Sequence, residues 1–147
     1  LPGAEVCAAD LSDAALAIAA ENFRTLGARV TLRKADALGG LDEAFPGPFA
    51  AIVSNPPYLT AEEMAHLMPE TAREPAMARD GGADGWYFSR QIARSAPHFL
   101  RPGGVLLLEV GFDQAKAVMA LLADFADVQA HEDYQHIPRM IEARKHV

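Results

Sequence analysis

The chain has 147 residues, half of them hydrophobic and 22% charged, which fits one globular domain and excludes a disordered or fibrous protein. A net charge of -7, with Arg144-Lys145-His146 as the densest basic stretch, argues against a direct nucleic-acid binder. No apolar run approaches the roughly 20 residues of a membrane-spanning helix, Leu1-Pro2-Gly3 carries no signal-peptide pattern, and the single Cys7 excludes an internal disulfide and suits a reducing cytoplasm.

In chain order, residues 5–9 form a short apolar run of the kind a buried parallel strand makes. Asp10-Leu11-Ser12-Asp13 offers capping side chains. Residues 14–26, Ala-rich with Leu16, Ile18, Phe23 and Leu26, then predict a helix that Gly27 ends. Residues 30–33 are a second strand and 37–47 a Gly- and Pro-punctuated loop. Residues 49–54 are a third strand, stopped where Pro56 and Pro57 forbid further ladder bonds. Short helical stretches follow around 62–67, then a helix over 85–99, a turn at Arg101-Pro102-Gly103-Gly104 and an unbroken apolar strand at 105–110. A helix over 113–125 precedes two closing strands, 128–132 and 140–144, paired through His136-Ile137-Pro138. The alternation predicts an α/β fold: a mainly parallel sheet with helices on both faces and a C-terminal antiparallel hairpin.

Sheets of this kind bind ligands at the carboxyl ends of their strands. Strand one ends at Asp10, strand two is followed by Asp36 and strand three ends at Asn55, so all three polar groups are expected on one sheet edge. Asp10 reads equally as a ribose-binding carboxylate and as the N-cap of the following helix. Asp36 could hold an adenine amino group, although capping a turn is its commoner role. Asn55-Pro56-Pro57-Tyr58 is more specific than a turn, because it follows an apolar strand directly and sets an amide beside an aromatic ring on a stiffened backbone. An amide or aromatic amine nitrogen is a poor nucleophile because its lone pair is delocalised. The Asn55 side-chain oxygen and the Pro56 carbonyl could hold its N–H groups and steer that lone pair toward an electrophile, with Tyr58 against the planar group.

Asn-Pro-Pro-Tyr after a strand resembles the amino-methyltransferases that use S-adenosylmethionine: adenine-N6 DNA enzymes, guanine-N2 RNA enzymes and protein glutamine-N5 enzymes. Further residues are similar to the release-factor glutamine methyltransferases, the HemK/PrmC family. They are Asp10-Leu11-Ser12 with Ala15-Leu16 and Glu21-Asn22, then Glu74-Pro75, Ala78, Gly81-Gly82 and Asp84-Gly85, and finally Leu100, Pro102-Gly103-Gly104, Glu109 and Gly111. The resemblance covers nearly the whole chain, and the Glu-Pro/Gly-Gly/Asp-Gly combination is its specific part. It implies a Rossmann-like methyltransferase fold with S-adenosylmethionine as cofactor, its ribose at Asp10-Leu11 and its adenine at Asp36-Ala37, and no metal. It implies Asn55, Pro56, Pro57 and Tyr58 as the catalytic and substrate-binding loop, Asn55 also facing the cofactor, and Glu74 ordering that loop. The implied reaction methylates a glutamine in the Gly-Gly-Gln loop of a peptide chain release factor.

One departure is an absence. The family's first motif, a strand, a Gly-rich loop and a helix, would precede Asp10, and residues 1–4 cannot supply it; Gly81-Gly82 and Gly103-Gly104 lie elsewhere. The chain therefore reads as a methyltransferase catalytic domain over 1–147, truncated at its N-terminus. The missing strand is expected between the first and third strands, whose ladder groups it would pair. Smaller departures are Arg79 at a usually apolar place, Ala37 where a larger residue could stack on adenine, and a missing glycine within 133–139. His66, His98, His131, His136 and His146 show no metal-ligand spacing. Trp86 reads as core or cleft lining and Asp80 and Asp84 as turn caps. Two other functions stay open: a nucleic-acid amino-methyltransferase acting on adenine N6 or guanine N2, and a truncated, inactive fold that acts by binding protein.

Overall fold

The computed structural model describes residues 3–39, 41, 47–67 and 75–147. The chain divides into two compact units, Leu1–Gly47 and Pro48–Val147. In the first, β1 (Val6–Asp10) and β2 (Val30–Lys34) pair in parallel, Val6 opposite Val30 and Asp10 opposite Lys34, and α1 (Asp13–Leu26) connects them. The helix starts where Ser12, in extended backbone, accepts a hydrogen bond from the Ala15 amide. It ends at Gly27, whose φ of 64° is a left-handed conformation that costs glycine nothing.

The second unit holds a four-stranded sheet of order β3-β4-β6-β5, built from Phe49–Ser54, Leu100–Glu109, Pro138–Arg144 and Ala126–Glu132 respectively. β3 and β4 are parallel; β6 runs antiparallel to both β4 and β5, the expected C-terminal hairpin. Period-two alternation sends Ile52, Leu106, Leu108, Ile141 and Ala143 to one face, where all are buried. They form a core with Ile92, Ala96 and Phe99 of α3 (Tyr87–Phe99) and with Val118 of α4 (Ala115–Leu121). On the opposite face Val53 is 75% exposed. The remaining helix, α2 (Ala61–Ala65), follows β3, and a single 3-10 turn spans Ala76–Ala78.

The differences from the sequence reading have local causes. The helix expected from 85 begins at Tyr87, because Gly85 sits at φ 74°, outside helical space. The helix expected over 113–125 contracts to Ala115–Leu121 between hydrogen-bonded turns, Gln114 N–H to the Gly111 carbonyl and Phe125 N–H to the Leu122 carbonyl. The turn at 101–104 is a register break inside β4, where Phe49 pairs with Leu100 but Ala51 with Val105. The hairpin turn lies one step earlier than expected: Asp133 accepts from the Gln135 and Ile137 amides, and Pro138 already opens β6.

One expectation is corrected in larger part. Asp10, Asp36 and Asn55 do not lie on one continuous sheet edge. β1 ladders with β2 and β3 with β4 in two separate sheets, so Asp10 and Asp36 belong to the first unit and Asn55 to the second. Among the described residues no strand pairs with the other side of β1 or of β3.

Candidate active site

In the first unit the two predicted carboxylates stand beyond the carboxyl ends of a parallel pair. Asp10 closes β1, its Oδ1 accepting the Ser12 amide at 2.7 Å, while its carbonyl accepts the Ala35 amide at 3.1 Å. Ser12, not Asp10, is the side chain that caps α1. Asp36 is exposed and opens a tight turn, its carbonyl accepting the Gly39 amide at 2.8 Å. Ala37 within that turn has φ 50°, and Leu11 beside Asp10 is half-exposed.

In the second unit β3 delivers Asn55-Pro56-Pro57-Tyr58 past the end of its ladder, which closes at Ser54 opposite Leu108. Pro56 is buried and Asn55 exposed, and among the described residues the Asn55 amide makes no hydrogen bond. The loop is fastened at its far end. The Tyr58 carbonyl accepts Gln114 Nε2 at 2.8 Å. The Leu59 amide donates to the Arg79 carbonyl at 3.0 Å, and the Gly81 amide to the Leu59 carbonyl at 2.8 Å, a short parallel bridge. Thr60 and Glu63 close a reciprocal capping box on α2, which fixes the chain beyond it. The Tyr58 hydroxyl accepts Arg139 Nη2 at 3.1 Å, and the same guanidinium lies 5.5 Å from the Tyr58 ring centroid. Glu109 Oε1 stands 3.9 Å from the same Arg139 Nη2.

The glycines that gave the sequence its most specific resemblance explain themselves here. A Cβ on Gly81 would lie 2.7 Å from Tyr58 Cα, and one on Gly85 would lie 2.5 Å from the Tyr58 carbonyl oxygen. The Gly-Gly/Asp-Gly segment is thus the floor against which the backbone of Tyr58, the last residue of the Asn-Pro-Pro-Tyr loop, rests. Asp84 anchors that floor to α3 by accepting the Trp86 amide and pairing with Arg90 through two bonds of 2.8 and 3.1 Å. The Arg90 hydrogen bonds, followed by that of the Trp86 amide, hold the Asp84 carboxyl below its ordinary value of 3.8. A depressed carboxyl stabilises the fold above its unfolded pKa and loses that contribution as pH falls through the folded value. A carbon-detected NMR titration should give an Asp84 midpoint below 3.8, moving up toward 3.8 in Arg90→Ala; an unchanged midpoint would show that the pairing does not hold in solution.

A groove of about 710 Å³ runs beside Asn55, lined by Val53, Leu107, Glu109, His131, Arg139 and Met140 among others. Among the described residues no cluster of three or more His, Cys, Asp or Glu has a metal-holding arrangement, and no helix is long and apolar enough to cross a membrane. Of the residues expected from sequence, Glu74 lies outside the described residues. The structure adds Gln114, which sequence reading did not single out, and gives Arg139 a contact with Tyr58. The one available signal was the polar Gln114 between a Gly-ended apolar strand and an apolar helix.

No protein-family model matches the chain. It is 46% identical to the release factor glutamine methyltransferase of Cereibacter sphaeroides over 97% of its own length and 52% of that protein. It is 38% identical to that of Geobacter sulfurreducens, over 98% and 51%. The ribosomal protein uL3 glutamine methyltransferase of Bradyrhizobium diazoefficiens is 44% identical over 75% of the chain and 34% of that protein. Among solved structures, a methyltransferase from Pyrococcus furiosus superposes with TM-score 0.70 at 18% identity, covering 97% of this chain and 64% of that one. The release factor-specific protein-(glutamine-N5) methyltransferase of Alicyclobacillus acidocaldarius superposes with TM-score 0.54 at 25% identity, covering 99% and 82%. The fold is that of the S-adenosylmethionine-dependent methyltransferases, and the chain spans about half the length of the curated relatives it matches. Over its own length, this chain belongs to the release factor glutamine methyltransferase family.

Proposed function

We propose that residues 1–147 are part of the catalytic domain of an S-adenosylmethionine-dependent methyltransferase. Its acceptor is a glutamine side-chain amide nitrogen, in the Gly-Gly-Gln loop of a peptide chain release factor. The observation that carries this reading is the Asn55–Tyr58 loop: an exposed amide that among the described residues makes no hydrogen bond, on a backbone stiffened by two prolines and held at Tyr58 by Gln114, Gly81 and Gly85. The Asn55 side-chain oxygen and the Pro56 carbonyl accept the two N–H groups of the substrate amide and turn its nitrogen lone pair out of conjugation. Tyr58, its ring held by Arg139, packs against the amide plane. Neither acceptor titrates near neutral pH, so they contribute orientation and electrostatic steering, and the one N–H proton that the nitrogen gives up on taking the methyl is released to solvent.

Asp10 and Asp36 fit the cofactor chemically, as exposed carboxylates beyond two parallel strand ends. Asp10 would take the ribose hydroxyls next to Leu11, and Asp36-Ala37 the adenine. When bound, S-adenosylmethionine supplies an electrophilic sulfonium methyl. The acidic charge disfavours direct nucleic-acid substrates, and the single cysteine fits a cytoplasmic location.

The test is to incubate the intact protein with S-adenosylmethionine and a bacterial release factor and to read glutamine methylation by peptide mass spectrometry. A methyl group on the Gly-Gly-Gln glutamine, absent with Asn55→Ala, is the expected result. Methylation of a nucleic-acid amino group instead, or no methylation by a folded protein, overturns the proposal.

A further inference from the structure

We infer that Gln114 is a positioning residue for methyl transfer, the clamp that sets where the Asn55–Tyr58 loop stands relative to β4; the inference rests on the function proposed above. Among the described residues the loop beyond Ser54 has no ladder partner, and Pro56 and Pro57 have no N–H with which to make one. Gln114 replaces the ladder. Its Oε1 accepts the Gly111 amide at 3.1 Å just past β4, and its Nε2 donates to the Tyr58 carbonyl at 2.8 Å past β3. Gln114 as a residue is 6% exposed, so water does not substitute for either bond. Its backbone is fixed as well, donating to the Gly111 carbonyl and accepting from Val118 in α4.

The clamp reaches the reacting end of the loop because the prolines make it stiff. With the chain pinned at Ser54 and at Tyr58 and φ locked at both prolines, little freedom is left at the Asn55 amide and the Pro56 carbonyl. The glycines around Gln114 belong to the same device: a Cβ on Gly111 would lie 2.8 Å from Gln114 Cδ, and one on Gly85 2.6 Å from Nε2. Larger residues at either position would displace the amide from both of its partners.

Gln114→Glu separates positioning from folding. The carboxylate is of nearly the same shape and still accepts the Gly111 amide, but it sets an acceptor against the Tyr58 carbonyl. Protonation restores an O–H donor there, and burial raises the pKa at which this happens. In the intact protein, kcat for glutamine methylation should fall about 10- to 100-fold at neutral pH. KM for S-adenosylmethionine should stay within about twofold. The ratio of variant to wild-type kcat should rise again as pH drops from about 7 to 5. Gln114→Met, which loses both bonds, should show the loss without the recovery. Wild-type kcat in folded Gln114→Glu, or a loss that follows only the unfolded fraction and does not recover with acid in either variant, overturns the inference. Asn55→Ala in the same assay distinguishes the two levels. If it is inactive while Gln114→Glu is normal, the clamp alone is wrong; if it is fully active, the proposed site falls and the clamp with it.

Discussion

Asn55→Ala should lower kcat for glutamine methylation by about 10²- to 10³-fold, the loss seen when one preorganised polar partner of a transition state is removed. KM for S-adenosylmethionine should hardly move, because an interaction made with the substrate amide is expressed in kcat rather than in cofactor binding. The fold should be untouched: Asn55 is exposed and, among the described residues, its side chain makes no hydrogen bond to be lost. Single-turnover kinetics with a release factor, beside a circular dichroism melt, would check both halves. Asn55→Asp is the sharper companion. It keeps the acceptor oxygen but brings a full charge, so retention of more activity than in the alanine variant would identify acceptance from the amide as the role of the side chain. Equal rates in wild type and Asn55→Ala would remove the reason for reading this loop as the site.

Gly85→Ala should damage both stability and activity, by two separable causes. At φ 74° an alanine pays the left-handed penalty of about 1–2 kcal/mol. The added Cβ would also stand 2.5 Å from the Tyr58 carbonyl oxygen and 2.6 Å from Gln114 Nε2, inside van der Waals contact with a backbone atom that cannot swing away. Overpacking of this kind adds about 1–3 kcal/mol. The strain falls on the bond between Gln114 and Tyr58, so the protein that remains folded should also be slow. Urea titration would give the stability loss, and kcat measured well below the transition would give the activity loss. Gly82→Ala is the control: that glycine is also in left-handed backbone, at φ 86°, but among the described residues its Cβ would meet only the Tyr87 side chain, at 3.1 Å. Gly82→Ala should therefore carry the backbone penalty without the loss of rate. Similar kcat in the two folded variants would show that the glycine floor is a folding feature and not a support of the site.

Much of the local architecture was legible before any coordinates. The capping segment 10–13 and Gly27 bound α1, although not which of its side chains caps it, the apolar runs mark β3 and the later part of β4, and Pro56-Pro57 ends β3, because capping, periodicity and missing donors act over a few residues and are written in adjacent letters. The Asn-Pro-Pro-Tyr loop was recognisable for the same reason, since the motif is four consecutive residues. What decides how firmly that loop is held is not local. Gln114 reaches Tyr58 across 56 residues and Arg139 across 81, and neither distance leaves a periodic or capping signature. Gly81 and Gly85 could be matched as a motif, but the reason no side chain fits there is the Tyr58 backbone, which arrives from the other side of α2. Strand pairing was the other tertiary decision. Five or six apolar residues specify a strand but not its neighbour, so the assignment of β1 and β2 to one sheet and of β3, β4, β6 and β5 to another follows from which ladder groups find partners. Sequence alone therefore determined most of the elements and the residues of the loop, through short-range sterics and hydrogen bonding; only the tertiary structure, by bringing distant donors and bare glycine backbone against Tyr58, decided what holds that loop in place.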